Sequence, residues 1–250
     1  MKPISKAQKK RATGPAAVSQ TQAPRAARLS RRERPAKAPL SVDAILAAAL
    51  DLMAREGLDG LSLRQVAAAL DTGPASLYVY VENFDALLSQ MLDRALGKVV
   101  IPPASRGDWR ERLSALLLSY FKVLMSMPGL GQLALTTIST GPNSLRMFEA
   151  ILALLREGGI DEDRAAWALD EFPLQFAAIA AEQDARRRQT NPLDSLQQTI
   201  ESISPETYPH LHAVRKKIFD DVDGAPRERL RWILNVLING VLHTPRDKSK

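Results

Sequence analysis

The sequence predicts an all-α protein: an N-terminal three-helix unit built around a helix-turn-helix, then a long connecting helix, then a second helical domain. Three observations carry this. Alanine, leucine and arginine dominate, and the short Val/Ile/Thr runs that make strands are nearly absent. From Ser41 onward, apolar residues recur at spacings of three and four, one face of a helix. Ser, Asp or Asn precede most of these runs, and Gly or Pro follow them.

Residues 1–40 stand apart. Pro3, Pro15, Pro24, Pro35 and Pro39 interrupt a stretch with few large apolar residues and no period. Such a segment buries too little surface to offset its ordering entropy, so it is expected to be a disordered tail. It holds eleven Lys/Arg against one acid, Glu33, which leaves 23 basic and 27 acidic residues in the rest of the 250-residue chain. The overall +6 therefore hides a strongly basic arm on a mildly acidic body. A basic arm of this kind suits phosphate or minor-groove contacts on a nucleic acid.

The first helix is expected from Ser41, its cap, with Val42, Ile45, Leu46, Ala49, Leu50 and Met53 on one stripe and Gly57 as its stop. After Leu58-Asp59-Gly60, Ser62 and Gln65 have the S-x-x-Q form of a capping box. Leu63, Val66, Ala67 and Leu70 share the face that follows. Asp71-Thr72-Gly73 breaks the pattern, and Pro74 opens a second short helix, with Leu77 and Val81 as core residues. Two short helices around so tight a turn describe a helix-turn-helix, whose second helix enters the DNA major groove. A connecting helix follows from Asn83 to about Val100, carrying Phe84, Leu87, Leu88, Met91, Leu92 and Ala95, and Ile101-Pro102-Pro103 ends it. These elements make a DNA-binding domain over 41–101.

Residues 102–244 read as helices throughout, before a short tail at 245–250. Asp108 caps one running to Met127-Pro128-Gly129, and a short one spans Leu130 to Ile138. Asn143 or Ser144 starts the next, which Gly158-Gly159 stops. Asp161 caps a long helix reaching Arg188, which Pro173 is expected to kink or divide. A looser link from Asn191 to Pro205 holds a short helix, another carries Leu211, Val214, Ile218 and Phe219, and Gly224-Ala225-Pro226 opens the last.

Gly57-x-x-Gly60-Leu61-Ser62-Leu63-Arg64-Gln65-Val66-Ala67, Leu77-Tyr78-x-Tyr80-Val81-x-Asn83 and Leu87-Leu88 together resemble the DNA-binding domain of TetR-family transcriptional repressors. The Val81-x-Asn83 portion is most similar to the tetracycline-repressor branch. The resemblance implies DNA contacts at Gly73, Pro74, Ala75, Ser76, Tyr78, Val79 and Tyr80 on the second helix, and at Ser62 and Arg64 on the first. Arg64 is the only cation of the set and the one residue able to fork onto guanine. The two tyrosines offer hydroxyls for phosphate and ring faces for thymine methyls. Two departures matter. Phe84 stands where many relatives carry a phosphate-pairing lysine, and Tyr80 where a histidine is frequent, so the basic arm is expected to compensate.

The resemblance further implies a ligand-binding and dimerisation domain at the C-terminal end. The small-residue stripe Leu174, Ala177, Ala178 and Ala181 and the ridge Leu230, Ile233, Leu234, Leu237 and Ile238 are expected to form the homodimer interface. Effector-pocket candidates are Trp109, Tyr120, Phe121, Met125, Phe148, Trp167, Phe172, Gln175 and Phe176. An aromatic at helical spacing is also the ordinary mark of a core, so both readings stay open for each.

The implied activity is a cytoplasmic transcriptional regulator. A homodimer would occupy a near-palindromic double-stranded operator, and an unidentified small molecule would release it through the connecting helix. A helical partner-binding or architectural protein that uses the helix-turn-helix corner only for packing is the alternative. No catalytic residue, cofactor or metal site is expected. There is no cysteine, no Gly-rich phosphate loop, and of His210, His212 and His243 only the first two are close in sequence. No apolar run reaches the ~18 residues of a membrane span.

Overall fold

Ser41, Ser62, Asn83, Asp108 and Asp161 each accept a bond from a backbone amide three residues on, so local capping chemistry sets where five of the helices begin. The computed structural model describes residues 39–188, 192–219 and 227–245. The basic tail up to residue 38, the Gly224-Ala225-Pro226 opening and the tail from residue 246 lie outside the described residues.

Helix α1 (Val42–Glu56) leads into α2 (Leu63–Ala69) and α3 (Pro74–Leu77). Only half of the expected capping box forms. Ser62 Oγ accepts from Gln65 N at 3.3 Å, but the Gln65 carboxamide oxygen takes the serine hydroxyl proton at 2.7 Å. The turn after α2 also differs in detail. Its left-handed residue is Asp71, at φ 49°, whereas Gly73 is extended. Thr72 N donates to Ala67 O and Asp71 N to Ala68 O, the paired bonds of a Schellman motif, with aspartate where glycine is usual. Helix α4 (Phe84–Leu96) follows and stops four residues earlier than expected, in a turn through Gly97 and Lys98.

Behind these lie α5 (Trp109–Leu124), α6 (Leu130–Thr136), α7 (Pro142–Glu157), α8 (Glu162–Arg188), α9 (Pro192–Glu201), α10 (Pro209–Val214) and α11 (Arg227–His243). Helix α7 starts at Pro142 rather than at Asn143 or Ser144, because proline suits the first helical position. Helix α10 ends at Val214, and Ile218 and Phe219 follow in turns. Pro173 does not divide α8, which runs unbroken for 27 residues. Its missing backbone bond costs ~3 kcal/mol, but Phe172 and Phe176 on the adjoining turns are fully buried, at ~1.5–3 kcal/mol each.

The core runs without a break from α1 (Ile45, Ala49, Met53) through α2 to α4 (Val66, Leu77, Leu87, Met91) and on to α5, α7 and α8. Helix α6 lies on α8 so closely that a Cβ on Gly131 would come within 2.5 Å of Ala181 N. The small residues of α8, expected to admit a partner's helix, thus admit α6 of the same chain. Helix α4 belongs to both halves. Its Arg94 pairs with Asp43 at the start of α1. The neighbouring Asp93 is buried and accepts from Ser144 N (2.9 Å), Ser144 Oγ (3.1 Å) and Asn143 Nδ2 (2.9 Å) in the first turn of α7.

Gly131→Ala forces α6 off α8 and is expected to cost about 1–3 kcal/mol, read as a fall in the chemical-denaturation midpoint with an unchanged slope.

Candidate nucleic-acid interface

Leu77 and Val81, one helical turn apart, are buried and pin α3 to the core, which turns every other side chain of the segment outward. Gly73, Pro74, Ala75 and Ser76 are exposed, and so are Tyr78 (56%), Val79 (79%) and Tyr80 (37%). Val66 is buried beneath them, with Leu63 and Leu70 half-buried beside it. All seven residues expected on the second helix therefore share one solvent-facing edge, although the helix proper ends at Leu77 and the last three ride on a turn. The inner side of the corner packs on the core, while these seven residues stay exposed.

On α2, Arg64 is exposed and has no ion pair among the described residues. Ser62 differs: it is half-buried, and its hydroxyl is engaged with Gln65 both as donor and as acceptor. A phosphate contact through that hydroxyl would compete with the cap. Gly73 carries a different signal. Its φ is an ordinary −84°, and a Cβ there would meet nothing within 4 Å. The fold itself does not need glycine at this position.

The expected effector residues do not converge. Tyr120, Phe121, Phe172 and Phe176 are core, with the Phe121 and Phe176 rings edge-to-face at 6.0 Å between α5 and α8. Burial pushes the Tyr120 phenol well above its ordinary range. Trp109 is half-buried against Gly158, whose Cβ would lie 2.6 Å from the ring. Met125, Phe148 and Gln175 are half-buried, and Trp167 is exposed on the outside of α8. A cleft of about 1520 Å³ opens instead where α7, α8 and α11 meet, lined by Leu152, Arg156, Ile160, Leu169 and His243 among others. None of the nine expected residues lines it. Of its lining, the sequence singles out Asp161 only as a helix cap and His243 only as an isolated histidine.

The expected dimer residues also separate. Ala177, Leu230, Leu234 and Ile238 are buried within the chain's own core, where α11 packs on α8 and α5. Ala178, Ala181, Ile233 and Leu237 are half-buried, and Leu174 is exposed. The outer faces of these helices also carry exposed Trp167, Trp232 and Val236. Trp232 and Val236 were missed because they lie two residues off the Leu230–Leu234–Ile238 stripe, the stronger helical signal. Arg164, in the first turn of α8, fixes α11 by donating to Val241 O and Leu242 O. It also lies against Asp161, whose carboxyl the bonds from the Arg164 amide and guanidinium hold below the usual range.

Two family models match. Residues 45–91 fit "Bacterial regulatory proteins, tetR family", and residues 101–244 fit "Tetracyclin repressor-like, C-terminal domain". The chain is 33% identical over 170 residues to the HTH-type transcriptional repressor DrrR1 of Streptomyces coeruleorubidus, covering 65% of this chain and 63% of that one. A transcriptional regulator of Saccharopolyspora erythraea is 35% identical over 48% of this chain and 51% of its own. These matches span about half to two thirds of the curated relatives' lengths. Among solved structures, ActR of Streptomyces coelicolor in complex with (S)-DNPA has a TM-score of 0.74 at 31% identity, over 83% of this chain and all of that one.

Gly73→Ala and Arg64→Ala are each expected to leave stability within about 0.5 kcal/mol of the parent in thermal unfolding, since neither residue supports the fold.

Proposed function

The chain belongs to the TetR family of bacterial regulatory proteins, and from that premise we propose that it is a transcriptional repressor that binds a specific DNA operator as a homodimer in the cytoplasm and is released by a small molecule. One observation carries the reading: the helix-turn-helix leaves Gly73, Pro74, Ala75, Ser76, Tyr78, Val79, Tyr80 and Arg64 exposed, and Arg64 has no ion pair among the described residues. The relatives support the regulatory part, since DrrR1 is a repressor and ActR has been solved with (S)-DNPA and with actinorhodin.

Two half-sites one DNA turn apart call for two copies. The outer faces of α8 and α11, with Leu174, Trp167, Trp232 and Val236, are the surface we assign to the second copy. The effector domain reaches the reading edge through α4, the lever of the switch. A ligand acts on it only by favouring a conformer whose half-sites are wrongly spaced, by about 3 kcal/mol for a hundredfold loss of DNA affinity. The cleft between α7, α8 and α11 is one place for such a ligand, because it adjoins α7, the helix on which Asp93 is anchored. The basic arm adds phosphate contacts that the acidic body lacks.

Selection of bound duplexes from random DNA with the full chain is expected to return an inverted repeat with half-sites about one helical turn apart; enrichment of no sequence would overturn the reading. On that operator, removal of residues 1–40 is expected to weaken binding severalfold and to flatten the dependence of log K on log salt, and an unchanged slope would exclude the arm from the complex.

A further inference from the structure

Most hydrogen-bond readout of base edges in the major groove is done by Arg or Lys on guanine and by Asn or Gln on adenine. The exposed edge of this protein has almost none of these. From Thr72 to Val81 there is no charged residue and no carboxamide; the outward side chains are those of Pro74, Ala75, Ser76, Tyr78, Val79 and Tyr80. The nearest carboxamides are already in use. Gln65 bonds Ser62 and lies 3.5 Å from Glu56, and the Asn83 oxygen caps α4 on Ala86 N at 2.8 Å. There is no lysine between residues 39 and 97, and of the three arginines Arg55 pairs with Asp51 and Arg94 with Asp43. Between residues 39 and 97, Arg64 alone of these cations has no ion pair among the described residues; the next cation, Lys98, lies beyond the end of α4.

What remains on the edge is methyl groups, rings and hydroxyls. A hydroxyl donates and accepts equally well, so it discriminates weakly between bases. The major groove offers one apolar feature, the 5-methyl of thymine. Val79, the most exposed of these side chains at 79%, stands between two tyrosine rings and is held outward by the buried Leu77 and Val81. We infer that this protein reads its operator chiefly through thymine methyls packed against Val79, Ala75 and the tyrosine rings, with one guanine per half-site read by Arg64. This rests on the reading of the chain as an operator-binding protein and specifies what that operator contains.

The test uses the full chain and the operator recovered by selection. Each thymine is replaced in turn by deoxyuridine, which removes the methyl and leaves every hydrogen-bonding group in place. At two or more positions in each half-site the Kd is expected to rise about fourfold, the effect of about 0.8 kcal/mol for one buried carbon. Val79→Ala is expected to abolish the difference between thymine and deoxyuridine at one of these positions, and Val79→Thr, which keeps a methyl, to retain part of it. Residue 79 supports no packing, so both variants keep the parent's thermal midpoint. Affinities within twofold at every deoxyuridine position would overturn the inference and leave the regulatory reading standing. Failure to recover any operator would bring down both.

Discussion

A buried carboxylate holds the two halves of this molecule in register. Asp93 sits on the inner face of α4, and three donors from the first turn of α7 converge on it. Loss of those donors would leave a charge stranded in the core at several kcal/mol, so the joint is either made or lost. The start of α7 also suits it electrostatically, because unpaired amides there favour negative charge. Geometry enforces the pairing as well. A Cβ on Gly141 would lie 2.2 Å from the Asp93 carboxyl carbon, so α7 approaches this closely only with glycine before Pro142. The network ends in Ser139, whose hydroxyl lies 2.6 Å from Ser144 Oγ and can donate to it.

The consequence lies one residue along the chain. Arg94 points the other way and pairs with Asp43 at the start of α1. Consecutive residues of α4 therefore grip opposite halves of the protein, and two further bonds, Arg146 to Val99 O and Val100 N to Ser119 Oγ, fix the segment after α4 to α7 and α5. A shift of α7 acts on α4 through hydrogen bonds of fixed direction, which tolerate less sliding than an apolar contact would. Helix α4 in turn begins three residues after Val81, the anchor of the reading edge. The path from the C-terminal helices to the exposed edge is thus short and made of discrete contacts.

What could be read from the sequence follows the range of each interaction. The caps at Ser41, Asp108 and Asp161 and the inward positions Leu77 and Val81 depend on neighbours within four residues, and all were legible. The sequence places the turn over Asp71-Thr72-Gly73, where it lies, but its spacing does not say which residue turns left-handed; Asp71 takes the positive φ, and Gly73 is extended. The roles of Gly131, Gly141 and Asp93 depend on chain segments about fifty residues away and leave no local pattern. The same holds for α11, where amphipathic spacing identified a buried stripe but not whether the chain's own helices or a partner's would cover it. Four of the nine residues expected at a dimer interface, Ala177, Leu230, Leu234 and Ile238, are buried within the chain.

Gly73 and Phe84 show how the regulator reading divides specificity from affinity. The edge that faces outward is nearly neutral and bare, and its domain is acidic, so it attracts a polyanion weakly and discriminates by shape and methyl contact. Phe84 stands where a phosphate-pairing lysine is frequent in the family, which takes one more sequence-independent contact from the folded body. Sequence-independent attraction must then come from elsewhere, and eleven basic residues precede Ser41. The division has a use. Phosphate attraction is equal on every site of a genome and so adds nothing to the ratio between operator and competitor. A reading edge whose one spare cation is Arg64 keeps that ratio governed by fit, and fit is what a displacement of α4 can destroy.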